Sequence, residues 1–286
     1  MTPPNIVVVG SLNHDLTVWV PHRPGPDETL HGSRIEEFRG GKGANQAVAA
    51  SRLGATVTMV GSVGTDVRGE FLLEGLEADG IDHRHVQRVA TPTGVAVITV
   101  DPDDVSIVVV AGANAETGEA LVDAAADAIA GADALLLQGE VPAAAAAAAA
   151  RIARAGDTLV VFNPAPFNEV AAAVAPLADV VMVNRQEAQE LGDIGVPILV
   201  TTLGAEGCEV AAADRSFRVA APSVEVVDPT GAGDTFAAAF AVRYVETRDP
   251  QAAARFAVEA GALAVTVAGA QPSLPTREAV DARLAG

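Results

Sequence analysis

Short runs of apolar, β-branched residues alternate along the chain with Ala-rich stretches of helical spacing. The first part of the chain predicts strands at 6–10 and 56–61 and helices at 44–53 and 69–79. The alternation returns later, with strands predicted at 134–140, 158–163, 179–184 and 197–204. These strands are apolar on both faces, which is typical of a parallel sheet covered by helices on two sides. The pattern therefore predicts an α/β fold with a mostly parallel central sheet and helices on both faces.

Two stretches interrupt this alternation because they predict strands with no helix between them. Residues 15–38 and 92–110 have the pattern of short strands and hairpins, and the second stretch turns at 101–104. We interpret them as one small β subdomain over an edge of the main sheet, where it can act as a lid. An ordinary extension of the sheet fits the pattern equally well. Because there is no linker or tandem repeat, we expect residues 1–286 to form a single domain with this discontinuous β lid.

The composition and charge exclude several classes of partner. The chain has 286 residues, of which 50% are hydrophobic and 19% charged, so it is globular and long enough to bury a sizeable core. Its 18 Lys and Arg against 37 Asp and Glu give a net charge of −19. This field repels polyanions, so we expect no nucleic-acid partner and no membrane partner. A small anionic ligand remains compatible, because a few backbone N–H groups can bind a phosphate locally.

The cysteine content, the pattern of the first ten residues and the length of the Ala tract predict a cytoplasmic protein. The single cysteine, Cys208, cannot form an internal disulfide, which fits a reducing compartment. The first ten residues lack the basic and long apolar regions of a signal peptide. The Ala tract at 143–150 is too short to span a bilayer and predicts a helix instead.

Polar residues follow most of the predicted strands. They are Asn13 and Asp15 after the first strand, then Glu140, Asn163, Asn184 with Glu187, and Thr202 with Gly204 after the later ones. In open parallel sheets, ligands bind beyond the carboxyl ends of the strands. A helix cap or a turn explains any one of these residues, but their recurrence at successive strand ends favours a binding site.

The sharpest local feature is the Gly-rich turn DPTGAGD at 228–234, which leads into a helical stretch. Gly231 and Gly233 let backbone N–H groups converge at a helix N-terminus, where an anionic phosphate binds. Asp234 would repel that phosphate unless it acts as a general base for a hydroxyl that attacks the phosphorus. The alternative is that Asp234 is only a first-turn residue favoured by the helix dipole.

A second Gly-rich turn, GGKGANQAVAASRLG at 40–54, also enters a helix. It is not a P-loop, because Lys42 is followed by Gly43 rather than by Ser or Thr, and Gly10 does not begin a dinucleotide-binding fingerprint. Lys42 and Asn45 offer hydrogen-bond donors to a polar ligand. A tight strand-to-helix entry explains the glycines without any ligand.

Seven segments, in order, resemble the signature segments of the ribokinase-like carbohydrate kinases. They are GGKGANQAVAA at 40–50, AGAN at 111–114, NPAP at 163–166, NRQEAQEL at 184–191, TLG at 202–204, DPTGAGDTF at 228–236 and GAQPSLP at 269–275. The resemblance covers essentially the whole chain, and an ordered set is far more specific than one Gly-rich match. It implies the ribokinase-like fold with its β lid.

The resemblance also implies roles for matching residues at the sugar and at the reacting phosphate. The positions that match contacts to sugar hydroxyls are Asn13, Asp15, Gly41, Lys42, Asn45 and Glu140. Asp234 matches the catalytic base beside the sugar, and Gly231, Ala232 and Gly233 match the anion hole.

The same resemblance implies ATP with Mg²⁺, and K⁺ as an activator. Glu187 matches a residue that holds magnesium through water, and the nucleotide contacts match Asn184, Thr202, Gly204, Gly207 and Gly233. The monovalent-cation site matches Asp228, Thr230, Ala264, Val267, Gly269 and Ser273. One departure lies between Glu187 and Thr202, where LGDIGVP replaces the additional helix that such kinases usually carry.

The expected function is transfer of the γ-phosphoryl group of MgATP to the 5-hydroxyl of D-ribose, by a homodimer joined through the β lids. Deoxyribose, fructose or a nucleoside such as adenosine or pseudouridine remains an alternative acceptor. Only 3% of the residues are aromatic, which favours a bare sugar, although Trp19 and Phe38 keep a nucleoside open. The missing fingerprint disfavours an oxidoreductase, and Asp234 disfavours a sugar-binding sensor without catalysis.

Overall fold

The structure is a computed structural model that describes residues 2–102, 105–212 and 215–285. Its strands are β1 (Asn5–Val9), β2 (Asn13–Trp19), β3 (Arg34–Gly40), β4 (Thr56–Gly64), β5 (Asp82–Val89), β6 (Gly94–Val100), β7 (Val105–Val110), β8 (Ala134–Gln138), β9 (Leu159–Asn163), β10 (Val180–Asn184), β11 (Ile198–Thr202), β12 (Cys208–Ala212) and β13 (Arg215–Val219).

Helices follow most of these strands. They are α1 (Lys42–Arg52), α2 (Val67–Ala78), α3 (Glu119–Ala124), α4 (Ala126–Ala130), α5 (Ala143–Ala155), α6 (Glu169–Val174), α7 (Arg185–Leu191), α8 (Ala232–Thr247), α9 (Pro250–Ala264), α10 (Ala270–Ser273) and α11 (Arg277–Ala285). Short 3₁₀ turns lie at Gly112–Glu116, Ala175–Leu177 and Gly204–Glu206. Among the helices described, none is long and apolar enough to cross a membrane.

The main sheet has nine strands in the order β13-β12-β11-β10-β9-β8-β1-β4-β5. Every neighbouring pair from β11 to β5 is parallel, whereas β12 and β13 form an antiparallel hairpin at one edge. The predicted α/β fold with a mostly parallel sheet is therefore confirmed. The carboxyl ends of the parallel strands, where the polar residues of the sequence lie, meet at one edge of the sheet.

Alternation along the strands divides the apolar residues between two cores. In β1, Ile6 and Val8 face a core that α1, α8 and α9 cover, while Val7 and Val9 face a second core under α5 and α6. All four side chains are at most 1% exposed, which is why this strand has no polar face. The carboxyl end of β1 is thus held rigidly between two layers of helices.

A separate four-stranded sheet, in the order β3-β2-β6-β7, forms the predicted lid. It is not an extension of the main sheet, which decides between the two sequence interpretations. Its first segment is longer than the predicted 15–38, because pairing of β2 with β3 begins at Asn13 opposite Gly40. Of the turn predicted at 101–104, residues 103 and 104 lie outside the described residues. Since β2 starts just after β1, residues of the lid lie directly over the end of the main sheet.

Candidate active site

The first residues of α1 are pressed against the connection between β1 and β2. Gly41 has a φ of 88°, and a Cβ there would lie 2.7–2.9 Å from the backbone of residues 11–13, so only glycine fits. The Ala44 N–H donates to the Ser11 carbonyl at 2.9 Å, which closes the contact. This turn places Lys42 and Asn45 next to the inward face of strand β2, which is the face that carries Asp15.

Asp15 lies on that inward face and is buried. A Cβ on the neighbouring Gly40 would overlap its carboxyl group, so the glycine makes room for the side chain. Its Oδ1 atom has no hydrogen-bond partner among the described residues. Burial, and then the nearby charges of Glu140 and Asp234, raise the pKa of Asp15 to about 7. Three carboxyl groups therefore converge at this point.

Glu140 comes from the turn after β8 and connects the strands to α1. Its Oε2 accepts a hydrogen bond from the Lys42 N–H at 3.1 Å and another from the Ser11 hydroxyl. The Lys42 ammonium group supplies the opposing charge. The charge of Asp234 first, and also those of Glu140 and Glu187, raise the pKa of Lys42. The Lys42 ammonium group therefore stays protonated among these carboxylates.

Asp234 lies in the first turn of α8 and is only 5% exposed. Asn45 Nδ2 donates to its Oδ2 at 3.0 Å, and Gln46 Nε2 donates to its Oδ1 at 3.2 Å. Gly231, just before the helix, has a left-handed φ of 79° that turns the chain into α8. A carboxylate held by two amide donors next to the unpaired N–H groups of a helix start suits proton removal beside a bound anion.

A cavity of about 470 Å³ lies on the other side of this helix start. Gly233 and Phe236 form the wall next to Asp234. The wall also contains Thr202, Gly204 and Gly207 from the β11–β12 region, Ala221, Pro222, Ser223, Val224 and Val226 from the following loop, and Val258 and Val265 from the α9 region. Of the residues that the sequence assigned to the nucleotide, Thr202, Gly204 and Gly207 therefore lie around one cavity with Gly233.

Asn184 and Glu187 begin α7 at the same edge of the sheet. Asn184 Oδ1 accepts hydrogen bonds from the Gln186 and Glu187 N–H groups at 2.9 Å, and Glu187 Oε2 accepts from the Asn184 N–H at 2.7 Å. This reciprocal capping box fixes both side chains. Neither is among the described residues that line the cavity, but the charge of Glu187 reaches Lys42.

The loop before α8 is tied to the loop after α9 by one side chain. Asp228 Oδ1 accepts from the Thr230 N–H at 2.9 Å, and Oδ2 accepts from the Gly269 N–H at 2.8 Å. Ser273 is buried, and its hydroxyl donates to the Ala270 carbonyl at 2.8 Å. In the described part of the chain no three His, Cys, Asp or Glu side chains group as a metal site. Asp228 therefore connects the two loops that contain the residues predicted to surround a monovalent cation.

Comparison with known proteins identifies the family. A sequence model of the pfkB family of carbohydrate kinases matches residues 3–277. The chain belongs to the pfkB family of carbohydrate kinases. This carbohydrate kinase is 38% identical to a ribokinase from Bacillus subtilis over 97% of its own length and 98% of the relative. It is 36% identical to a ribokinase from Haemophilus influenzae, over 96% of both chains. A deoxyribokinase from Salmonella typhi is 33% identical, again over 96% of both.

Solved structures give the same answer for the fold of this carbohydrate kinase. A ribokinase from Thermotoga maritima superposes with a TM-score of 0.90 at 33% identity, covering 99% of this chain and 100% of the other. A ribokinase from Arabidopsis thaliana, solved with ribose and ATP, superposes with a TM-score of 0.88 at 31% identity over 99% of both chains. The ribokinase-like fold expected from the sequence is confirmed.

The site residues predicted for this carbohydrate kinase form three groups in space. Asp15, Lys42, Asn45, Glu140 and Asp234 are joined by hydrogen bonds or by mutual charge, with Gly41 in the turn that assembles them. Thr202, Gly204, Gly207, Ala232 and Gly233 line the cavity. Asp228, Thr230, Gly269 and Ser273 belong to the tied loops, with Ala264 and Val267 at the end of α9 and beyond it.

Sequence reasoning missed four polar residues that support the site of this carbohydrate kinase. Asn114 donates to Asn13 Oδ1 at 2.7 Å, Ser11 donates to Glu140, Gln46 donates to Asp234, and Gln138 donates to Gln46. A signal for Gln138 existed, because it is a polar residue at the end of an apolar strand and two residues before Glu140. Asn114 was inside the quoted AGAN segment, but no role followed from its spacing.

Proposed function

We propose that the chain acts as a ribokinase, which transfers the γ-phosphoryl group of MgATP to the 5-hydroxyl of D-ribose and releases ADP and D-ribose 5-phosphate. One observation carries this proposal. The carboxylate of Asp234 lies at the start of α8, between the buried polar site of Asp15 and Lys42 and the 470 Å³ cavity. A base between an acceptor site and a donor site is the arrangement that phosphoryl transfer requires.

The polar site has unmet hydrogen-bonding capacity that a sugar would satisfy. Asp15 Oδ1 and Asn45 Oδ1 are buried acceptors without a partner among the described residues. Asn13 Oδ1 already accepts from Asn114, so a ligand of Asn13 would accept from its Nδ2 group. Sugar hydroxyls both donate and accept, and buried polar atoms require such partners. A small polyol therefore matches the site better than an apolar ligand.

The chemical step follows from the positions of Asp234 and the start of α8. Asp234 accepts the proton of the sugar 5-hydroxyl while that oxygen bonds to the γ-phosphorus. The bond from the γ-phosphorus to the oxygen of the departing ADP breaks at the same time, so ADP leaves with that electron pair. The N–H groups of Gly231, Ala232 and Gly233 at the start of α8 would stabilise the negative charge of the transferred group, with the Ala232 N–H exchanging its 3.3 Å hydrogen bond to the Pro229 carbonyl for the phosphate.

The cavity beside α8 is the proposed nucleotide site. Its apolar wall suits a purine, and Thr202, Gly204 and Gly207 lie where a nucleotide would pass toward Gly233. Mg²⁺ bound to the ATP phosphates would neutralise part of their charge during transfer. Glu187 fits a water-mediated contact to Mg²⁺, because oxygen atoms are the preferred ligands of this ion. One carboxylate oxygen of Glu187 is used in the capping box with Asn184, which leaves the other for this contact.

A test of the acceptor atom uses D-ribose and 5-deoxy-D-ribose with MgATP. We expect ADP and D-ribose 5-phosphate from the first sugar, identified by mass spectrometry and phosphorus NMR. The second sugar keeps the ring hydroxyls that the polar site would bind but lacks the attacking oxygen. It should therefore inhibit competitively without consuming ATP. ADP release at a similar rate with 5-deoxy-D-ribose would place the chemistry at another hydroxyl.

2-Deoxy-D-ribose is the second candidate acceptor. The observation that favours it is the 33% identity to a deoxyribokinase. The unpartnered acceptor atoms of Asp15 and Asn45 favour the sugar with more hydroxyl donors. We therefore assign D-ribose as the better substrate and 2-deoxy-D-ribose as a weaker one.

Potassium is expected to activate the enzyme. Asp228 joins the loop before α8 to the loop after α9, and the backbone oxygens that the family resemblance implies as ligands of a monovalent cation belong to these two loops, at Asp228, Thr230 and Gly269. Such a cation would order the N–H groups that face the phosphate without touching the sugar. Replacing K⁺ by Na⁺ or Li⁺ at constant ionic strength should lower kcat severalfold and leave the KM for ribose unchanged. Equal rates in the three salts would contradict this part of the proposal.

The lids are expected to join two copies of the chain. Strand β7 carries four large apolar side chains that are each at least 48% exposed to solvent: Ile107, Val108, Val109 and Val110. The strand lies at a sheet edge that has no neighbour among the described strands. A homodimer would cover this apolar surface. Light scattering at micromolar concentration should give twice the mass of one chain, and Val108→Glu should shift it to one chain. A parent protein that is monomeric at that concentration would argue against lid pairing.

The ionisation of Asp15 makes sugar binding dependent on pH. Its pKa is raised to about 7 in the free protein, so half of the molecules must lose a proton near neutral pH before Asp15 can accept from sugar hydroxyls. The KM for ribose should therefore fall about tenfold as the pH rises from about 6 to 8. The variant Asp15→Asn should flatten this dependence. A KM that is constant over this range in the parent would show that Asp15 does not bind as a carboxylate.

The chemistry proposed here belongs in the cytoplasm, where ATP is available. The buried Cys208 is a free thiol, which suits a reducing compartment. The net charge of −19 argues for small-molecule partners and against nucleic acid or an anionic membrane surface.

A further inference from the structure

We propose that Gln138 is a positioning residue for catalysis, which fixes the side-chain amide of Gln46 so that Gln46 donates to Asp234 instead of facing it with its carbonyl oxygen. The identity of Asp234 as the base rests on the proposed function. The orientation of the two glutamines is a separate claim, because it concerns groups that touch neither the sugar nor the nucleotide.

The three side chains form one directed chain of hydrogen bonds. Gln138 Nε2 donates to Gln46 Oε1 at 2.8 Å, and Gln46 Nε2 donates to Asp234 Oδ1 at 3.2 Å. Gln138 is 0% exposed and Gln46 is 1% exposed, so water does not compete for these bonds. The other oxygen of Asp234 accepts from Asn45. Each carboxylate oxygen thus has one fixed donor, which holds the plane of the carboxylate.

The orientation of the Gln46 amide is what needs to be fixed. A glutamine amide has a donor end and an acceptor end of similar size, and the carboxylate of Asp234 can only accept. A reversed Gln46 would place its carbonyl oxygen against a carboxylate oxygen and its NH₂ group against the NH₂ group of Gln138. In a buried site both contacts are strongly unfavourable. The donation from Gln138 therefore selects the orientation in which Gln46 supports Asp234.

Asn163 adds to this selection from the neighbouring strand. Its Oδ1 lies 3.5 Å from Gln46 Nε2, and its own Nδ2 donates to the Met182 carbonyl at 2.9 Å, which keeps the oxygen toward Gln46. Asn163 and Gln138 lie opposite each other in the parallel pairing of β8 and β9. Two adjacent strand ends thus present a donor and an acceptor that match only one orientation of Gln46.

Gly10, at the end of β1, makes room for the side-chain amide of Gln138. A Cβ on Gly10 would overlap Gln138 Oε1 and would lie 2.7 Å from the Cα atom of Gly43, so any larger residue would displace the glutamine. The acceptor end of Gln138 therefore packs against Gly10, and its donor end faces Gln46. Gln138 Oε1 has no hydrogen-bond partner within the described residues. An unsatisfied buried acceptor destabilises the fold, which fits a residue retained for the function of its other end.

The test compares Gln46→Met and Gln138→Met with the parent enzyme at saturating ribose and MgATP. Methionine has nearly the same shape but cannot donate. We expect kcat to fall about tenfold in each variant, because one hydrogen bond to a charged group is lost or misdirected, while KM for ribose and for MgATP stays within about twofold. Gln87→Met is the matched control, since Gln87 is a partly buried glutamine that donates to Ser62 and Glu116 away from the site. Its kcat should equal that of the parent.

Combined variants separate positioning from packing. If Gln138 acts only through Gln46, and Gln46 only through Asp234, then the double variant of both glutamines should lose no more activity than Gln46→Met alone. In the Asp234→Asn background, neither methionine substitution should lower kcat further. Additive losses in the double variant, or an undiminished loss in the Asp234→Asn background, would overturn the proposal.

A second readout requires no turnover and so separates this inference from the proposed function. The side-chain amide signals of Gln46 in ¹H–¹⁵N spectra, assigned with Gln46→Met, report its hydrogen bonds directly. In Gln138→Met they should move toward the values of a free amide and exchange faster with solvent. Unchanged Gln46 signals would refute the role of Gln138. Absence of ADP release with every sugar would refute the proposed function, whereas these spectra would still decide the orientation.

Discussion

The variant Asp234→Asn is expected to lose kcat by a factor of about 10² to 10⁴, the range for removal of a general base. The asparagine keeps the shape of the side chain but cannot accept the proton of the attacking hydroxyl. Binding of MgATP should be as tight as in the parent or tighter, because the substitution removes a negative charge near the phosphates. Single-turnover rates and nucleotide titration on the purified variant measure the two effects separately.

The neighbours of Asp234 can accommodate an asparagine without loss of the folded structure. Asn45 and Gln46 both donate to the carboxylate of Asp234, so the NH₂ group of an asparagine at position 234 would face one of these donors instead of an acceptor. Asn45 can turn to accept from it, since Asn45 Oδ1 has no partner among the residues described. The folded structure should therefore persist, as circular dichroism would show. A single-turnover rate within a few-fold of the parent would remove Asp234 from the chemistry.

The second large effect is expected for Asp15→Ala. A buried carboxylate that accepts from two sugar hydroxyls makes two charge-assisted hydrogen bonds, so KM for ribose should rise by about 10² to 10³. The dissociation constant for MgATP should change little, because Asp15 lies in the lid strand β2 and does not line the nucleotide cavity.

A matched control for Asp15→Ala exists in the same sheet. Glu37 also carries a carboxyl group in the lid, but it lies on the opposite face, where it pairs with His14 and is 65% exposed. Glu37→Ala should leave the KM for ribose unchanged. If Asp15→Ala lost ATP affinity and kept the ribose KM, Asp15 would belong to the other end of the site.

Much of the fold follows from the sequence because its strands and its helices are both marked by local patterns of residues. Buried parallel strands require continuous apolar runs, and Ala-rich segments between them favour helices, so the alternation was readable residue by residue. The relation of the lid to the main sheet was not, because it depends on which strand edges pair. Pairing of β2 with β3 and β6, rather than with β1 or β4, is a matter of tertiary contacts.

The site was only partly readable for the same reason. Gly-rich turns and strand-end carboxylates mark positions in the chain, and the structure brings Asp15, Glu140 and Asp234 together. Their unequal environments depend on burial, which spacing along the chain does not reveal. The raised pKa of Asp15 is one example. The link from Gln138 to Gln46 is another, since it joins residues separated by 92 positions.

The most direct test of the central claim is kcat/KM for ADP release with D-ribose, 2-deoxy-D-ribose, D-fructose, adenosine and pseudouridine, measured in parallel with MgATP and K⁺. We expect the highest value with D-ribose, a lower one with 2-deoxy-D-ribose, and D-ribose 5-phosphate as the product. A higher kcat/KM with a nucleoside or with fructose would contradict the assignment of ribose. No ADP with any of the five acceptors would contradict the assignment of a sugar kinase.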